Sequence, residues 1–372
     1  MCIRDRSGSS DRGIEIGGFY ATSGFRQLSA TPVLAAVGDS PGDALLVAKS
    51  SGGLARIGAE DATRAVGPRT LWTRNNTNGA SIVTDWADGR PAIVAVDRTD
   101  PEAHRVVVLE PDGKLLAETL LPGIVLSDVV AGRVDGDATT DLFVQWGDPL
   151  DLVERQRAIS GAAGAVLWDV SYGSGNRQPA GAAVADWDQD GRDDLVFQHG
   201  ATRVLSGATG LEIGTSAPGP SYFMPSLVDV DSDVDLEVVL HACSQPLRAL
   251  DHDLVSALWQ SDDNDLPLNY GAIADCQTGD KRLLTSSIRY PSRLRSTELS
   301  PPLAGEHASI VLASGEAYAD EEQALLAGAA GGQLGSPSIH TNLAGDGTPL
   351  ALIGSTDGWV YAIDVCDLSL RF

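Results

Sequence analysis

Short apolar runs, separated by polar or glycine-rich turns, recur along most of the chain. The clearest runs lie at 195–198, 203–206, 237–240, 350–353 and 359–364. Other runs carry a tryptophan, as in Leu71-Trp72, Leu167-Trp168 and Leu258-Trp259. Runs of this length between turn residues are typical of β-strands. Helical periodicity is confined to residues 316–328, so the pattern predicts an all-β protein.

An acidic loop precedes several of these runs. Its fullest copy, at 185–197, reads Ala-Asp-Trp-Asp-Gln-Asp-Gly-Arg-Asp-Asp-Leu-Val-Phe. Counting every copy, the first motif positions fall at 35, 85, 133, 186, 229, 275 and 342. A period of about 50 residues is typical of propellers and solenoids. With three or four strands in each repeat, the sequence predicts a seven-bladed β-propeller with four-stranded blades of about 50 residues.

The repeats predict one domain over residues 13–372, because a single repeat cannot bury its apolar face alone. Residues 1–12 are predicted to be disordered or an artefactual start, so the absence of a visible signal peptide leaves the location open. The 372 residues include 51 acidic and 26 basic side chains, a net charge of −25. This charge disfavours nucleic acid and anionic membrane surfaces as partners and favours cations. No apolar run is long enough to insert in a membrane.

Acidic residues at alternate positions of the loops predict cation sites. The fullest loop has acids at positions 1, 3, 5 and 9, which are Asp186, Asp188, Asp190 and Asp194. The second loop fills the same positions with Asp229, Asp231, Asp233 and Glu237. A hard cation that takes six to eight oxygen ligands matches this pattern. Without a cation, so many neighbouring carboxylates would repel one another.

A third loop is a weaker candidate, because it has lost the first acid. It keeps Asp135, Asp137 and Asp141, and Arg133 stands at position 1. We expect the Arg133 guanidinium to take the place of the metal there. An EF-hand is excluded for the two fuller loops, since it requires a glutamate at position 12 and flanking helices. Position 12 is Phe197 in one loop and Leu240 in the other.

The repeated motif Asp-x-Asp-x-Asp-Gly-x-x-Asp-Leu resembles the FG-GAP/VCBS-type repeats, which form the β-propeller of integrin α-subunits and of many secreted bacterial proteins. The resemblance covers roughly residues 30–365. It implies Ca²⁺ as the cofactor, bound between two strands of a blade by side chains and by one backbone carbonyl at position 7. That carbonyl belongs to Arg192 in one loop and to Asp235 in the other. In the second loop Val234 replaces the usual glycine and Glu237 the usual aspartate, and the other four repeats look metal-free.

Catalytic motifs are scarce. The chain has no nucleophile elbow and no phosphate-binding glycine loop, and its six histidines lie in no recognised motif. These features and the resemblance favour a non-catalytic, secreted, cell-surface or periplasmic propeller. It would be a monomeric module of a larger protein and would bind a protein or glycan ligand. The alternative is the propeller of a lyase-like, carbohydrate-active enzyme or of a quinone-dependent enzyme.

Two further expectations concern long-range pairing. Cys243 and Cys276 lie in neighbouring repeats and are a candidate disulfide, with buried free thiols as the alternative. No cysteine or histidine spacing predicts a zinc site. Residues 13–20 are predicted to close the ring by pairing with residues 359–364. In the alternative they belong to a preceding blade, and residues 368–372 supply the outer strand of the last one.

Overall fold

The structure is a computed structural model in which strands dominate. The described residues are 33–35, 44–49, 53–58, 70–75, 82–87, 90–126, 129–148, 153–174, 181–218, 225–231, 233–240, 247–260, 271–276, 279–286, 293–299, 307–313, 316–327, 329, 334, 337–341, 347–355 and 360–371. These residues form seven antiparallel sheets, which we number in chain order. An all-β fold is thereby confirmed.

The first three sheets contain thirteen strands. Sheet 1 comprises β1 (Val33–Ala35), β2 (Ala44–Lys49), β3 (Gly53–Gly58) and β4 (Thr70–Asn75). Sheet 2 comprises β5 (Ile82–Ala87), β6 (Arg90–Asp97), β7 (Arg105–Leu109) and β8 (Leu115–Leu120). Sheet 3 comprises β9 (Ile124–Val125), β10 (Val130–Gly132), β11 (Asp141–Gly147), β12 (Val153–Ile159) and β13 (Val166–Ser174). Strand β9 pairs with β11 outside the path from β10 to β13.

The remaining sheets follow the same order. Sheet 4 comprises β14 (Ala182–Ala185), β15 (Asp194–Gln198), β16 (Thr202–Leu205) and β17 (Glu212–Thr215). Sheet 5 comprises β18 (Ser226–Val228), β19 (Glu237–Leu240), β20 (Arg248–Leu250) and β21 (Ala257–Gln260). Sheet 6 comprises β22 (Ala272–Asp275), β23 (Lys281–Ser286), β24 (Arg293–Glu298), β25 (His307–Ala313) and β26 (Glu316–Tyr318). Sheet 7 comprises β27 (Ser338–Thr341), β28 (Pro349–Gly354) and β29 (Val360–Asp364).

The predicted helical segment at 316–328 is only partly helical. Its first residues form β26, and helix α1 (Glu321–Leu326) follows. No helix in the described part of the chain has the length and apolar character needed to span a membrane.

The sheets lie side by side in chain order. The strands β1, β5, β10, β14, β18, β22 and β27 contact one another in succession. From sheet 2 to sheet 7, apolar side chains fill the space between each sheet and the next. The two-residue period of a strand makes this possible, since Phe143 packs towards sheet 4 while Val144 packs towards sheet 2. The arrangement is propeller-like.

A short hairpin covers the outer edge of β29. Leu370 bridges Ile363, the Asp364 N–H donates to the Ser369 carbonyl at 2.9 Å, and the Arg371 N–H donates to the Ala362 carbonyl at 3.0 Å. Residues 369–371 therefore lie beside β29, where the alternative expectation placed an outer strand formed by residues 368–372. Residues 13–20 lie outside the described residues, so their pairing with 359–364 stays a prediction.

One contact recurs between successive sheets. In the acidic loops that begin at 133, 186 and 229, the second position faces the turn after the third strand of the following sheet. Val134 Cγ1 lies beside Gly207, and the Trp187 ring stacks on His252 with centroids 4.3 Å apart. Between sheets 5 and 6, Val230 and Leu299 share one apolar cluster.

Between sheets 6 and 7 this contact is a disulfide. Cys276 occupies the second loop position and bonds to Cys366 in the turn that follows β29. The expected Cys243–Cys276 pair is therefore wrong, and Cys243 lies outside the described residues. The physical reason is direction, because the second loop position faces the following sheet and not the preceding one.

His104 ties sheet 2 to sheet 3, and this contact predicts acid sensitivity. Its Nδ1 accepts the Val125 N–H at 2.9 Å, so protonation of this nitrogen removes the bond. Burial, with a smaller effect of Arg98, lowers the pKa of His104 to about 4. Because the folded pKa lies below the unfolded value, stability from neutral His104 is complete above pH 6.5. It is lost as pH falls from 6.5 towards 4, by about 3 kcal/mol at most.

Denaturant unfolding between pH 4 and pH 7 measures this effect. His104→Gln keeps a neutral acceptor for the Val125 N–H, so its free energy of unfolding should fall less steeply with acid than that of the parent. Equal slopes for the two proteins would contradict the assignment.

Candidate metal centres

Three loops each bring three carboxylates together. We name them loop A (133–141), loop B (186–194) and loop C (229–237); they join the first two strands of the path in sheets 3, 4 and 5. In each loop, one oxygen from each of three acids lies within 4.8 Å of the others. The three groups are Asp135, Asp137 and Asp141; Asp186, Asp188 and Asp194; and Asp229, Asp231 and Glu237. Each group has one half-buried, one exposed and one buried member.

The buried acid at position 9 holds its own loop closed. In loop B, Asp194 Oδ2 accepts the N–H groups of Trp187 at 3.0 Å and Asp188 at 3.2 Å. Its Oδ1 accepts the Gly207 N–H at 2.8 Å, from the turn between the third and fourth strands. The Asp194 carboxylate therefore links loop B to the turn between β16 and β17.

Loop A repeats this arrangement. Asp141 Oδ2 accepts the Val134 and Asp135 N–H groups at 2.9 and 3.1 Å, and Oδ1 accepts the Gly161 N–H at 2.9 Å. A Cβ at Gly161 would lie 2.0 Å from the Thr140 carbonyl oxygen, so only glycine fits there. The motif predicted a metal ligand at position 9 but not this structural role. The recurrence of Ser-Gly-Ala at 160–162 and 206–208 is the sequence signal that corresponds to it.

The exposed acids at positions 3 and 5 bend the loops. In loop B, Asp188 Oδ1 accepts the Asp190 N–H at 3.2 Å, and Asp190 Oδ1 accepts the Arg192 N–H at 2.9 Å. In loop C, Asp231 and Asp233 make the same bonds to residues 233 and 235. These are Asx turns, in which a side chain replaces a backbone acceptor. Asp190 and Asp233 are predicted ligands that lie outside the carboxylate groups.

Two buried oxygens in these loops fit a cation. Asp186 Oδ1 in loop B and Glu237 Oε1 in loop C are buried and accept no hydrogen bond within the described structure. Burial raises the pKa of Glu237 to about 7, and burial also raises the pKa values of Asp141 and Asp194. A carboxylate that has lost its water stays ionised more readily beside a positive charge. An oxygen-only donor set suits a hard cation such as Ca²⁺.

Loops A and C differ from loop B in their basic neighbours. The Arg133 side chain is exposed and makes no ion pair with the described acids of loop A, so the structure does not place its guanidinium among them. In loop C, Lys281 Nζ from sheet 6 donates to the Asp229 carbonyl oxygen and lies 3.2 Å from Asp229 Oδ2. An ammonium group is thus already present at one acid of loop C.

The loops form one continuous rim. The Arg133 N–H donates to Asp193 Oδ2 at 2.6 Å, which joins loop A to loop B. Gln189 Nε2 donates to Asp235 Oδ1 at 2.8 Å, which joins loop B to loop C. Lys281 extends the series to sheet 6. The acidic loops of these neighbouring sheets therefore lie at the same end of the sheets, as predicted.

Solved structures of other proteins share this fold. BBS1N, crystallised in complex with ARL6DN and soaked with mercury, is 10% identical over 96% of this chain and 96% of that chain, with a TM-score of 0.60. The computationally designed Ika8 protein is 12% identical over 95% and 89% of the two chains, with a TM-score of 0.55. Saccharomyces cerevisiae Sqt1 is 10% identical over 87% and 82%, with a TM-score of 0.53.

BBS1N and Sqt1 are propeller-like folds, so the chain has a propeller-like fold. At this level of identity the likeness concerns the fold alone. No protein-family model and no curated protein sequence matches the chain.

Proposed function

We propose that this chain is a Ca²⁺-stabilised, seven-bladed β-propeller of the FG-GAP/VCBS type that serves as a binding module and not as an enzyme. The observation that carries the proposal is the pair of buried, unpartnered oxygens, Asp186 Oδ1 and Glu237 Oε1, in clusters of oxygen ligands. A cation would balance the repulsion within each cluster and bind both oxygens. The motif spacing and the succession of seven sheets support the propeller of seven blades.

Loop B is the stronger of the two fuller sites in this proposal. Asp186, Asp188 and Asp194 would bind the ion, with the Arg192 carbonyl as the predicted backbone ligand. Loop C would bind more weakly, because Lys281 already contacts Asp229 and adds a positive charge beside the ion. Loop A would bind least well, since it lacks an acid at position 1.

Calcium should raise the melting temperature of the full chain relative to EDTA. An ion that binds only the folded state stabilises it by about 4 kcal/mol at a concentration 1,000 times its Kd. Asp188→Ala combined with Asp231→Ala should abolish most of this shift, because both side chains are exposed ligands. Mg²⁺ should replace Ca²⁺ poorly, since it requires tight octahedral geometry.

The matched control is Asp112→Ala. Asp112 is also exposed and also accepts an N–H two residues on, but it belongs to no carboxylate group. Its variant should keep the full response to Ca²⁺. A parent protein with the same melting temperature in EDTA and in Ca²⁺ would refute the metal assignment.

A protein is the partner that the surface favours. Large aliphatic side chains are exposed on the outer strands of three successive sheets: Leu115, Leu116 and Leu120 on β8, Val166 and Leu167 on β13, and Ile213 on β17. Exposed apolar patches are characteristic of protein–protein contacts. BBS1N, which is similar in fold, was crystallised in complex with ARL6DN.

The proposed location is outside the reducing cytosol. The support for it is the Cys276–Cys366 disulfide, because disulfides persist mainly in oxidising compartments.

A further inference from the structure

The space between sheets 3 and 4 has two chemically different ends. At the acidic-loop end it is apolar and includes Phe143, Ala158, Leu195 and Leu205. At the opposite end the same strand faces carry polar side chains: Gln145, Glu154, Gln156, Tyr172 and His199. These polar side chains lie on the same strand faces as the apolar cluster because of the two-residue period of a strand. Gln145 continues the Phe143 face of β11, and His199 continues the Phe197 face of β15.

Glu154 is at the centre of this polar end. Its Oε2 lies 3.3 Å from His199 Nε2 and accepts a hydrogen bond from Gln145 Nε2 at 3.4 Å. Glu154 is 2% exposed and Gln145 is 3% exposed. The Tyr172 ring lies against the His199 ring, with centroids 5.7 Å apart.

Four buried polar atoms at this end have no hydrogen-bond partner among the described residues. They are Gln145 Oε1, Glu154 Oε1, His199 Nε2 and Tyr172 Oη. His199 Nε2 is close to Glu154, yet the two groups are not aligned for a hydrogen bond. Buried polar groups are nearly always paired, so several unpaired atoms in one place indicate a missing water, ion or ligand.

The burial and the chemistry of these groups favour a single ion. Glu154 and Gln145 are too buried to receive a partner's side chain without opening the interface. Two ligands bonded to one zinc-like ion at about 2.1 Å lie roughly 3.0–3.4 Å apart, which is the separation of His199 Nε2 and Glu154 Oε2. Imidazole nitrogen selects first-row transition metals, whereas Ca²⁺ takes oxygen ligands.

We propose that His199 Nε2, Glu154 and Gln145 Oε1 form a site for a divalent transition-metal ion between sheets 3 and 4, remote from the acidic loops. The buried, unpartnered Tyr172 hydroxyl belongs to the same polar end. Arg203 brings a positive charge to the same end, with its guanidinium 5.6 Å from the Tyr172 ring, but it is paired with Glu212. This site is independent of Ca²⁺ binding.

The test uses Co²⁺ as a visible probe and Zn²⁺ as a competitor, on the full chain in excess Ca²⁺ so that the acidic loops are occupied. We expect one equivalent of Co²⁺ to bind with visible absorption bands, and Zn²⁺ to remove them. Glu154→Gln and His199→Gln should each weaken binding at least about tenfold. His252→Gln is the matched control, because His252 stacks on Trp187 in a different interface, and it should bind Co²⁺ as the parent does.

Two outcomes of this Co²⁺ titration would contradict the proposed metal site. No binding by the parent would overturn the proposal and leave a trapped water or a direct Glu154–His199 ion pair. Binding that survives both Glu154→Gln and His199→Gln would also overturn it. Glu154→Gln preserves the shape of the side chain, and a melting curve without metal establishes that this variant is folded. Loss of the Ca²⁺ response in the earlier experiment would leave this result unchanged.

Discussion

An Asp194→Ala variant should lose about 3 kcal/mol or more of folding free energy even in EDTA, because three N–H groups lose their buried acceptor. These groups belong to Trp187, Asp188 and Gly207. Burial raises the pKa of Asp194, so the buried negative charge is itself unfavourable. Removal of this charge by the alanine substitution offsets part of the loss of folding free energy. Asp188→Ala in EDTA should cost below about 1 kcal/mol, because Asp188 is exposed.

Urea unfolding of the two variants in EDTA and in Ca²⁺ separates the two roles. Asp188→Ala should lose mainly the response to Ca²⁺, and Asp194→Ala should lose stability in both conditions. Asp194→Asn keeps one acceptor oxygen, so its stability should lie between those of the parent and the alanine variant. Equal losses for Asp188→Ala and Asp194→Ala in EDTA would show that position 9 has no structural role beyond metal binding.

Removing the Cys276–Cys366 disulfide should cost about 4–5 kcal/mol, because it closes a long loop in the unfolded chain. The two cysteines are 90 residues apart in the sequence. The measurement is urea unfolding of the double variant Cys276→Ala/Cys366→Ala against the oxidised parent. The reduced parent should resemble the double variant.

Cys243→Ala is the control, because Cys243 does not belong to this bond. It should leave the effect of reducing agent intact. A parent whose midpoint is the same with and without reducing agent would contradict the assigned role of the disulfide.

Local patterns in the sequence were sufficient to predict several of the strands and the members of the three carboxylate groups, although Asp190 and Asp233 were also expected among the ligands. The apolar run at 237–240 is strand β19, and Asp186, Asp188 and Asp194 come together as their spacing predicts. Both features depend on residues within a few positions of one another. The acids at positions 3 and 5 were predicted as ligands, but their hydrogen bonds also form the turns.

Contacts between distant segments could not be predicted in the same way. The Gly207 N–H meets Asp194 only when the hairpin of sheet 4 is formed, and Cys366 meets Cys276 only when sheets 6 and 7 are adjacent. The polar group of Gln145, Glu154 and His199 comes from two sheets and has no fixed spacing. Sequence spacing identifies a metal site when its ligands share one loop, and it fails when they lie on separate strands.

The disulfide between sheets 6 and 7 also determines how the chain responds to a stretching force. Tension applied outside the two cysteines passes through the sulfur bridge, so the 90-residue separation between them adds nothing to the extension. Fully extended, that segment would span about 300 Å. An oxidised chain therefore keeps most of its last two sheets short under load, and reduction releases that length.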